Sequence, residues 1–404
     1  MKNKYYERQK LIAAELIQKL EESVFSGKAL DKELQNITRE NRGWGSKDRR
    51  FYSEITYSFF RWYNFIKTAL TETDSFYTDA VDLCNELMTL GSFDKIYSFF
   101  KDNYPNKEFE LKALLPEGFE KIYDGDLEEF AKAQQIKPAV WLRCRDNKSW
   151  KSVIDELNKQ DNLRFEVSKQ NKLSIKVTSR FNINSLKSFR EGKVEIQDFA
   201  SQCIGLVANP QEKEKWMDVC AGAGGKTLQL AAMMRGKGLI TSCDIRKKPL
   251  QELMKRANKA GFKGIRTITT DLAKPSKKLD DALFDGVLVD APCSNSGTWR
   301  RNPDLKLRFK TADSEKAAKL QLSILNNAAK FVKPGGTLVY STCSASVLEN
   351  QQVVEEFLKS HADFKGVEFS HPTTGKTIDT ALCLPFDLAD NDSMLVAKMS
   401  RKQE

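Results

Sequence analysis

The stretch Trp216-Met217-Asp218-Val219-Cys220-Ala221-Gly222-Ala223-Gly224-Gly225-Lys226-Thr227 decides the fold. An apolar run ends on a glycine-rich turn, and a helix follows from Leu228, which is the opening step of a strand–helix alternation. The alternation continues to the end of the sequence. Short apolar, β-rich runs at 216–219, 239–243, 265–268, 286–290, 337–341, 364–369 and 394–398 predict strands, with helices between most of them. Such a pattern predicts an α/β domain with a doubly wound, mostly parallel sheet of seven strands.

Glycines at a strand-to-helix turn let a ligand approach the backbone, and the helix start favours negative charge there. A phosphate-binding loop needs glycine five residues before Gly225-Lys226-Thr227, where Cys220 stands instead. A dinucleotide fingerprint needs a third glycine after Gly222-x-Gly224, and Lys226-Thr227 occupies that place. S-adenosylmethionine fits the pattern better. Asp244 closes the second strand, where ribose hydroxyls would bind, and Asp271 follows the third, where adenine would. The candidate cofactor residues are Asp218, Cys220, Ala221, Gly222, Ala223, Gly224, Gly225, Lys226, Asp244, Asp271 and Asp290.

Two cysteines sit just past later strands: Cys293 in Asp290-Ala291-Pro292-Cys293 and Cys343 in Ser341-Thr342-Cys343-Ser344, 50 residues apart. Loops leaving the carboxyl ends of parallel strands converge on one crevice, so both thiols can meet over one substrate. That points to sulfur nucleophile chemistry. Cys203, Cys220 and Cys243 read as structural. There is no Cys-x-x-Cys pair, and His361 and His371 are the two histidines of the sequence, so no metal site is expected.

With 404 residues and 40% hydrophobic composition, several domains are expected. Helical periodicity predicts an all-α domain over 1–110. A linker at 111–134 and a small α+β (RRM-like) domain at 135–195 would follow, and then the catalytic domain at 196–404. Eight cysteines scattered over this length imply a reducing, cytoplasmic setting, and no apolar run is long enough to span a membrane. The net charge of +10 points to a polyanionic partner. Residues 296–310 hold Arg300, Arg301, Lys306, Arg308 and Lys310 against Asp304, a net +4 beside Cys293. Arg300, Arg301, Lys306 and Arg308 are therefore expected to grip a substrate's phosphates. In the N-terminal region Arg8, Lys10, Arg49, Arg50, Arg61 and Lys67 read either as a basic surface or as a solvated helix face.

The motifs occur in the order Asp218-x-Cys220-Ala221-x-x-Gly224-Gly225-Lys226-Thr227, then Asp290-Ala291-Pro292-Cys293-Ser294-x-x-Gly297 with Arg301-x-Pro303-Asp304. Tyr340-x-Thr342-Cys343-Ser344 with Glu349-Asn350 completes the series. Together with Gln197-Asp198 and Trp141-Leu142-Arg143, they resemble the RsmB/Nop/Sun family of RNA 5-methylcytosine methyltransferases. The N-terminal helices, with Asp48-Arg49 and Arg61-Trp62, resemble the NusB-like domain of the bacterial small-subunit ribosomal RNA enzymes. The resemblance implies a Rossmann-like class I methyltransferase domain and a cytoplasmic, monomeric enzyme that uses S-adenosylmethionine and acts in rRNA processing. It assigns attack on cytosine carbon-6 to Cys343 and release to Cys293. Asp290 would face the target base; with no histidine nearby in sequence, activation of the thiol falls to Lys226, arginines or local dipoles. Transfer RNA is the alternative substrate, and an idle RNA-binding assembly factor the alternative class. Ala223 stands where the family usually has proline, and Asn391-Asp392-Ser393-Met394-Leu395 lacks the usual Gly-Phe-Phe.

Overall fold

Val287, Leu288 and Val289 are fully buried, and they alternate between two hydrophobic cores, as a strand covered on both faces must. The computed structural model to which they belong describes residues 2–71, 73–161, 163–179, 181–275, 279, 283–384 and 390–403. Its chain divides into two units, Met1–Pro138 with Thr298–Thr311, and Ala139–Gly297 with Ala312–Glu404.

The second unit begins with a small antiparallel sheet of β1 (Val140–Cys144), β2 (Phe165–Val167), β3 (Ser174–Val177) and β4 (Val194–Ile196), in the order β2-β3-β1-β4. Helix Asn147–Asn158 is capped by Asp146, whose side chain accepts from the Ser149 amide. It lays Val153 and Leu157 on Leu142, Cys144, Ile175 and Val177. A buried polar chain runs on from this sheet. Arg143 donates to Gln197 Oε1, Gln197 to Gln229 (3.0 Å) and Gln229 to the Gln202 carbonyl (2.6 Å). The Trp141 and Gln197 motifs are thus braces between this sheet and the helices behind the main one.

The main sheet contains β5 (Lys215–Val219), β6 (Leu239–Asp244), β7 (Ile265–Thr269), β8 (Phe284–Asp290), β9 (Val332–Thr342) and β10 (Phe364–Gly366). A separate ribbon of β11 (Phe369–Ser370) and β12 (Thr377–Ile378) precedes β13 (Ala381–Leu384) and β14 (Met394–Arg401). The order is β10-β14-β9-β8-β5-β6-β7, with β13 also paired to β14. Strands β9-β8-β5-β6-β7 are parallel, while β14 runs antiparallel to β9 and pairs antiparallel with β10 and β13. The sheet therefore has eight strands where periodicity suggests seven. The extra one, β13, is an apolar run of only four residues, mostly unburied, too short for its period to mark it as a strand.

One core holds Phe199, Trp216, Leu228, Leu253, Leu288 and Val339, and the other Met217, Val219, Val287, Leu325, Tyr340 and Phe357. Each such side chain contributes about 1.5–3 kcal/mol by leaving water. β5 lies between β6 and β8, so the chain winds away from it in both directions. The carboxyl ends of β5 and β8 flank the switch point where such sheets bind ligands.

The first unit is built of helices Lys2–Phe25, Leu30–Glu40, Ser46–Arg61, Tyr63–Ala69, Phe76–Leu90, Phe93–Asn103 and Leu127–Gln135 around Ile17, Leu20, Ile55, Phe59, Phe65, Val81 and Phe100. Residues 111–134, read as a linker, form short helical turns and most of that last helix inside this unit. Phe119 and Phe130 pack there against the Trp299 ring, with centroids 4.9 and 6.1 Å away.

Candidate active site

The turn after β5 has the backbone its glycines permit. Cys220, Gly222 and Gly224 have φ of 63°, 55° and 85°. At Gly224 a Cβ would overlap Leu253, so glycine is needed both for the left-handed turn and for the close approach of the helix Lys247–Lys259. Ala223, in place of the family's proline, gives its carbonyl to Arg256 at 2.6 Å. Gly225 faces open space, and a Cβ on Gly222 would meet nothing nearer than Arg246 Nη2 at 4.0 Å, so the turn presents bare backbone to a clear volume.

Around that volume the chemistry suits an adenosyl ligand with a cationic centre. Asp244, at the end of β6, accepts from the Gly222 amide (2.9 Å), the Arg246 amide (2.8 Å) and the Arg246 guanidinium (3.0 and 3.2 Å). Burial raises its carboxyl, but the Arg246 bonds outweigh burial and hold it below the ordinary value. The Arg246 side chain is 67% exposed, so it can yield its place to ribose hydroxyls. Ile245 is a large apolar residue left 63% exposed beside Asp244, a surface an adenine face would cover. Asp271, after β7, is partly buried and accepts from the Ala273 amide at 3.0 Å. Asp218 is fully buried, with one oxygen accepting from Thr227 and Oδ1 lacking a partner among the described residues. Burial pushes its carboxyl up to about 7, a misfit that a nearby cation would relieve. These residues fit S-adenosylmethionine.

Beyond β8 and β9 the two cysteine loops meet. The sulfurs of Cys293 and Cys343 lie 3.2 Å apart. Gly297 makes this possible: its amide donates to the Cys343 carbonyl at 3.0 Å, and a Cβ there would run into that carbonyl and into Ser393. The Ser393 amide in turn donates to the Gly297 carbonyl at 3.0 Å, so the divergent segment 391–395 still supports the loop. Lys226 and Asp290 form an ion pair at 2.8 Å, and Ser341 donates to the other Asp290 oxygen at 3.0 Å. Burial pulls the Lys226 ammonium down, yet Asp290 and the nearby Cys343 hold it above its ordinary value, so it is a fixed cation. The hydrogen bond to Cys343, and then burial, push the Cys293 thiol well up. Burial likewise pushes Cys203 and Cys243 up to about 12, and Cys220 higher, which leaves these three inert.

Two residues escape a reading by motif chemistry. Glu349 is fully buried and accepts from the Ser294 amide (2.8 Å), Gln321 (2.9 Å) and the Ser344 hydroxyl (2.8 Å), so one carboxylate ties the Cys293 loop to the Cys343 loop. Asn295 touches both sulfurs. Glu349 belonged to a quoted motif without a role, whereas Asn295 carried no signal at all.

The expected phosphate grip is corrected for Arg300 and Lys306, which are buried within the first unit. Arg61, itself buried, donates to the Arg300 carbonyl at 3.0 Å, while Lys306 donates to the Arg61 carbonyl (3.2 Å) and to Gln135 (3.4 Å). Burial, aided by Arg61, lowers the Lys306 ammonium to about 7. Arg308 donates to the Gly27 carbonyl (3.0 Å) and pairs with Asp304 (2.8 Å). A charge run cannot tell solvent from interior, because long side chains can bury a charged head against carbonyls. Arg301 is partly exposed, and Arg8, Arg49 and Arg50 are exposed. Among the described residues no cluster of His, Cys, Asp and Glu could hold a metal, and no helix is long and apolar enough to cross a membrane.

Residues 205–400 match the family model of 16S rRNA methyltransferase RsmB/F. A probable ribosomal RNA small subunit methyltransferase B of Bacillus subtilis (strain 168) is 34% identical over 238 residues, 59% of this chain and 53% of that protein. The ribosomal RNA small subunit methyltransferase B of Shewanella oneidensis is 33% identical over 244 residues, 60% of this chain and 56% of that protein. The chain thus spans about half the length of these curated relatives. Among solved structures, PH0851 superposes with a TM-score of 0.74 at 24% identity, covering 91% of this chain and 93% of that one. NSun6 from Pyrococcus horikoshii, solved with SFG, gives 0.59 at 20%, covering 69% and 95%. At these identities the structures show a shared fold.

Proposed function

Residues 205–400 belong to the RsmB/F family of methyltransferase domains, and on that premise we propose that the protein is an S-adenosylmethionine-dependent enzyme forming 5-methylcytosine in small-subunit ribosomal RNA. The observation that carries the proposal is the meeting of Cys293 and Cys343 at 3.2 Å beside the Lys226–Asp290 pair. The names of the curated relatives support ribosomal RNA as substrate, and SFG, an analogue of S-adenosylmethionine, supports the cofactor. The bound cofactor would supply an electrophilic methyl group on a sulfonium. A cytosine carbon-5 is too poor a nucleophile to take it unaided.

In this reading the Cys343 sulfur bonds to carbon-6 and pushes electron density onto carbon-5, which takes the methyl group. Cys293, with its sulfur 3.2 Å from that of Cys343, hydrogen-bonds Cys343 as it attacks. The fixed charge of Lys226 favours the thiolate and orients Asp290 toward the base edge. In release, the proton on carbon-5 leaves to Cys293, once that thiol has given up its own proton to solvent, or to a water beside it, as the bond from carbon-6 to the Cys343 sulfur breaks. The base must be unpaired or flipped out, since carbon-6 is hidden within a helix. The helical unit, by its likeness to NusB-like domains, docks RNA through its exposed Arg8, Arg49 and Arg50, and the enzyme works as a cytoplasmic monomer.

The experiment is transfer of labelled methyl groups to purified small-subunit rRNA and to transfer RNA, with bisulfite sequencing of the product. Methylated rRNA from the parent and none from Cys343→Ala is expected, with a covalent RNA adduct accumulating on Cys293→Ala. Full turnover by Cys343→Ala refutes the mechanism. Absence of transfer to any RNA leaves an RNA-binding assembly factor.

A further inference from the structure

Asn295 stands two residues after Cys293 with φ of 58°, in a left-handed region that most side chains avoid and Asn tolerates. Its Oδ1 accepts from the Cys343 thiol at 3.1 Å and lies 3.9 Å from the Cys293 sulfur. Its Nδ2 donates to the Cys293 carbonyl at 3.2 Å. One carboxamide therefore sits against both reactive sulfurs, nearer to Cys343, in a chain whose two histidines, His361 and His371, lie on other loops. The last side-chain bond of Asn turns easily, because its oxygen and nitrogen are nearly the same size.

We propose that Asn295 is a positioning residue that selects Cys343 as the nucleophile: its amide oxygen takes the hydrogen bond of the resting thiol, and its amide nitrogen, brought round by rotation, donates to the thiolate. The rotation gives up the bond to the Cys293 carbonyl and turns Oδ1 toward that oxygen, a cost set against a bond to a charged acceptor, the stronger kind. The proton that remains between the sulfurs stays on Cys293. Besides Asn295, Glu349 and Tyr340 act on Cys293, and Lys226, paired with Asp290, acts on Cys343. Of these, Lys226 supplies charge, whereas Asn295 supplies direction. The kinetic consequence rests on the methyl-transfer reading, but the choice of thiol is a property of the free enzyme.

The test combines iodoacetamide alkylation of the folded enzyme across pH, with mass mapping of the modified cysteine, and steady-state methyl transfer. Glycine accepts the backbone of position 295 without strain, so Asn295→Gly removes the side chain and keeps the turn. Asn295→Asp keeps the shape and removes the donor. The parent is expected to alkylate first at Cys343. Asn295→Asp should raise the pH midpoint of that alkylation by about one unit. Asn295→Gly should lose the preference for Cys343 over Cys293 and lose roughly 10- to 100-fold in kcat, with KM for RNA and cofactor unchanged. Parent-like selectivity, pH profile and kcat in Asn295→Gly overturn the proposal, leaving Asn295 a turn residue only. If the parent methylates no RNA but Asn295→Gly still loses its thiol preference, positioning stands and the proposed reaction falls.

Discussion

Replacing Asp218 by Asn probes the buried carboxylate on which the cofactor turn is built. Burial pushes this carboxyl from 3.8 up to about 7, the Thr227 hydroxyl opposes the rise and Asp290 adds to it. In the unfolded chain the group loses its proton near 3.8, whereas in the folded state it keeps it to about 7, so between those values the folded state binds more protons. Stability due to Asp218 therefore falls as pH rises through that window and is level above it, and the whole window is worth about 4 kcal/mol at most. Asn has the same shape and no charge to bury. Relative to the parent, Asp218→Asn should thus gain about 4 kcal/mol between about pH 4 and about pH 8. Any cost of the altered bond to Thr227 is common to both pH values and cancels. The measurement is urea unfolding without cofactor, read by hydrogen exchange of peptides covering β5, so that the helical unit does not blur the transition. An equal stability difference at both pH values refutes the buried-charge argument. The same charge links to function. A cationic cofactor near Asp218 draws the carboxyl into its ionised form, so binding near neutral pH releases a proton from the parent. Asp218→Asn should lack that release in calorimetry with buffers of different ionisation heat.

Glu349→Ala leaves the Ser294 amide, Gln321 and the Ser344 hydroxyl without their acceptor. It should cost about 3 kcal/mol or more in denaturant unfolding, and Glu349→Gln less; a loss under 1 kcal/mol (about one ordinary hydrogen bond) would show that the carboxylate braces neither loop. Arg246→Ala removes the guanidinium that competes for Asp244, so titration calorimetry should show cofactor bound about 2- to 5-fold more tightly, as expected for an exposed ion pair; weaker binding would make Arg246 a ligand rather than a competitor. Arg301→Ala should lower the slope of RNA affinity against salt by about one, whereas Arg300→Ala should reduce the melting temperature and leave the slope unchanged. A slope that changes with Arg300 restores it to the RNA interface.

The sequence by itself determined the alternation that builds the parallel sheet, because the period of apolar side chains is a local property of each segment. It also determined the glycine turn after β5, since a left-handed backbone demands particular residue types, and it placed Asp244, Cys293 and Cys343 after strands whose ends share one rim. The tertiary structure decided what depends on segments far apart in sequence. It brought two sulfurs 50 residues apart to 3.2 Å and set Glu349 between their loops. It turned the Asn295 amide onto both sulfurs and took Arg300 and Lys306 out of solvent. A lysine or arginine looks the same in a sequence whether water or a buried carbonyl receives its charge. What surrounds it is fixed by packing between distant segments, which no local pattern encodes.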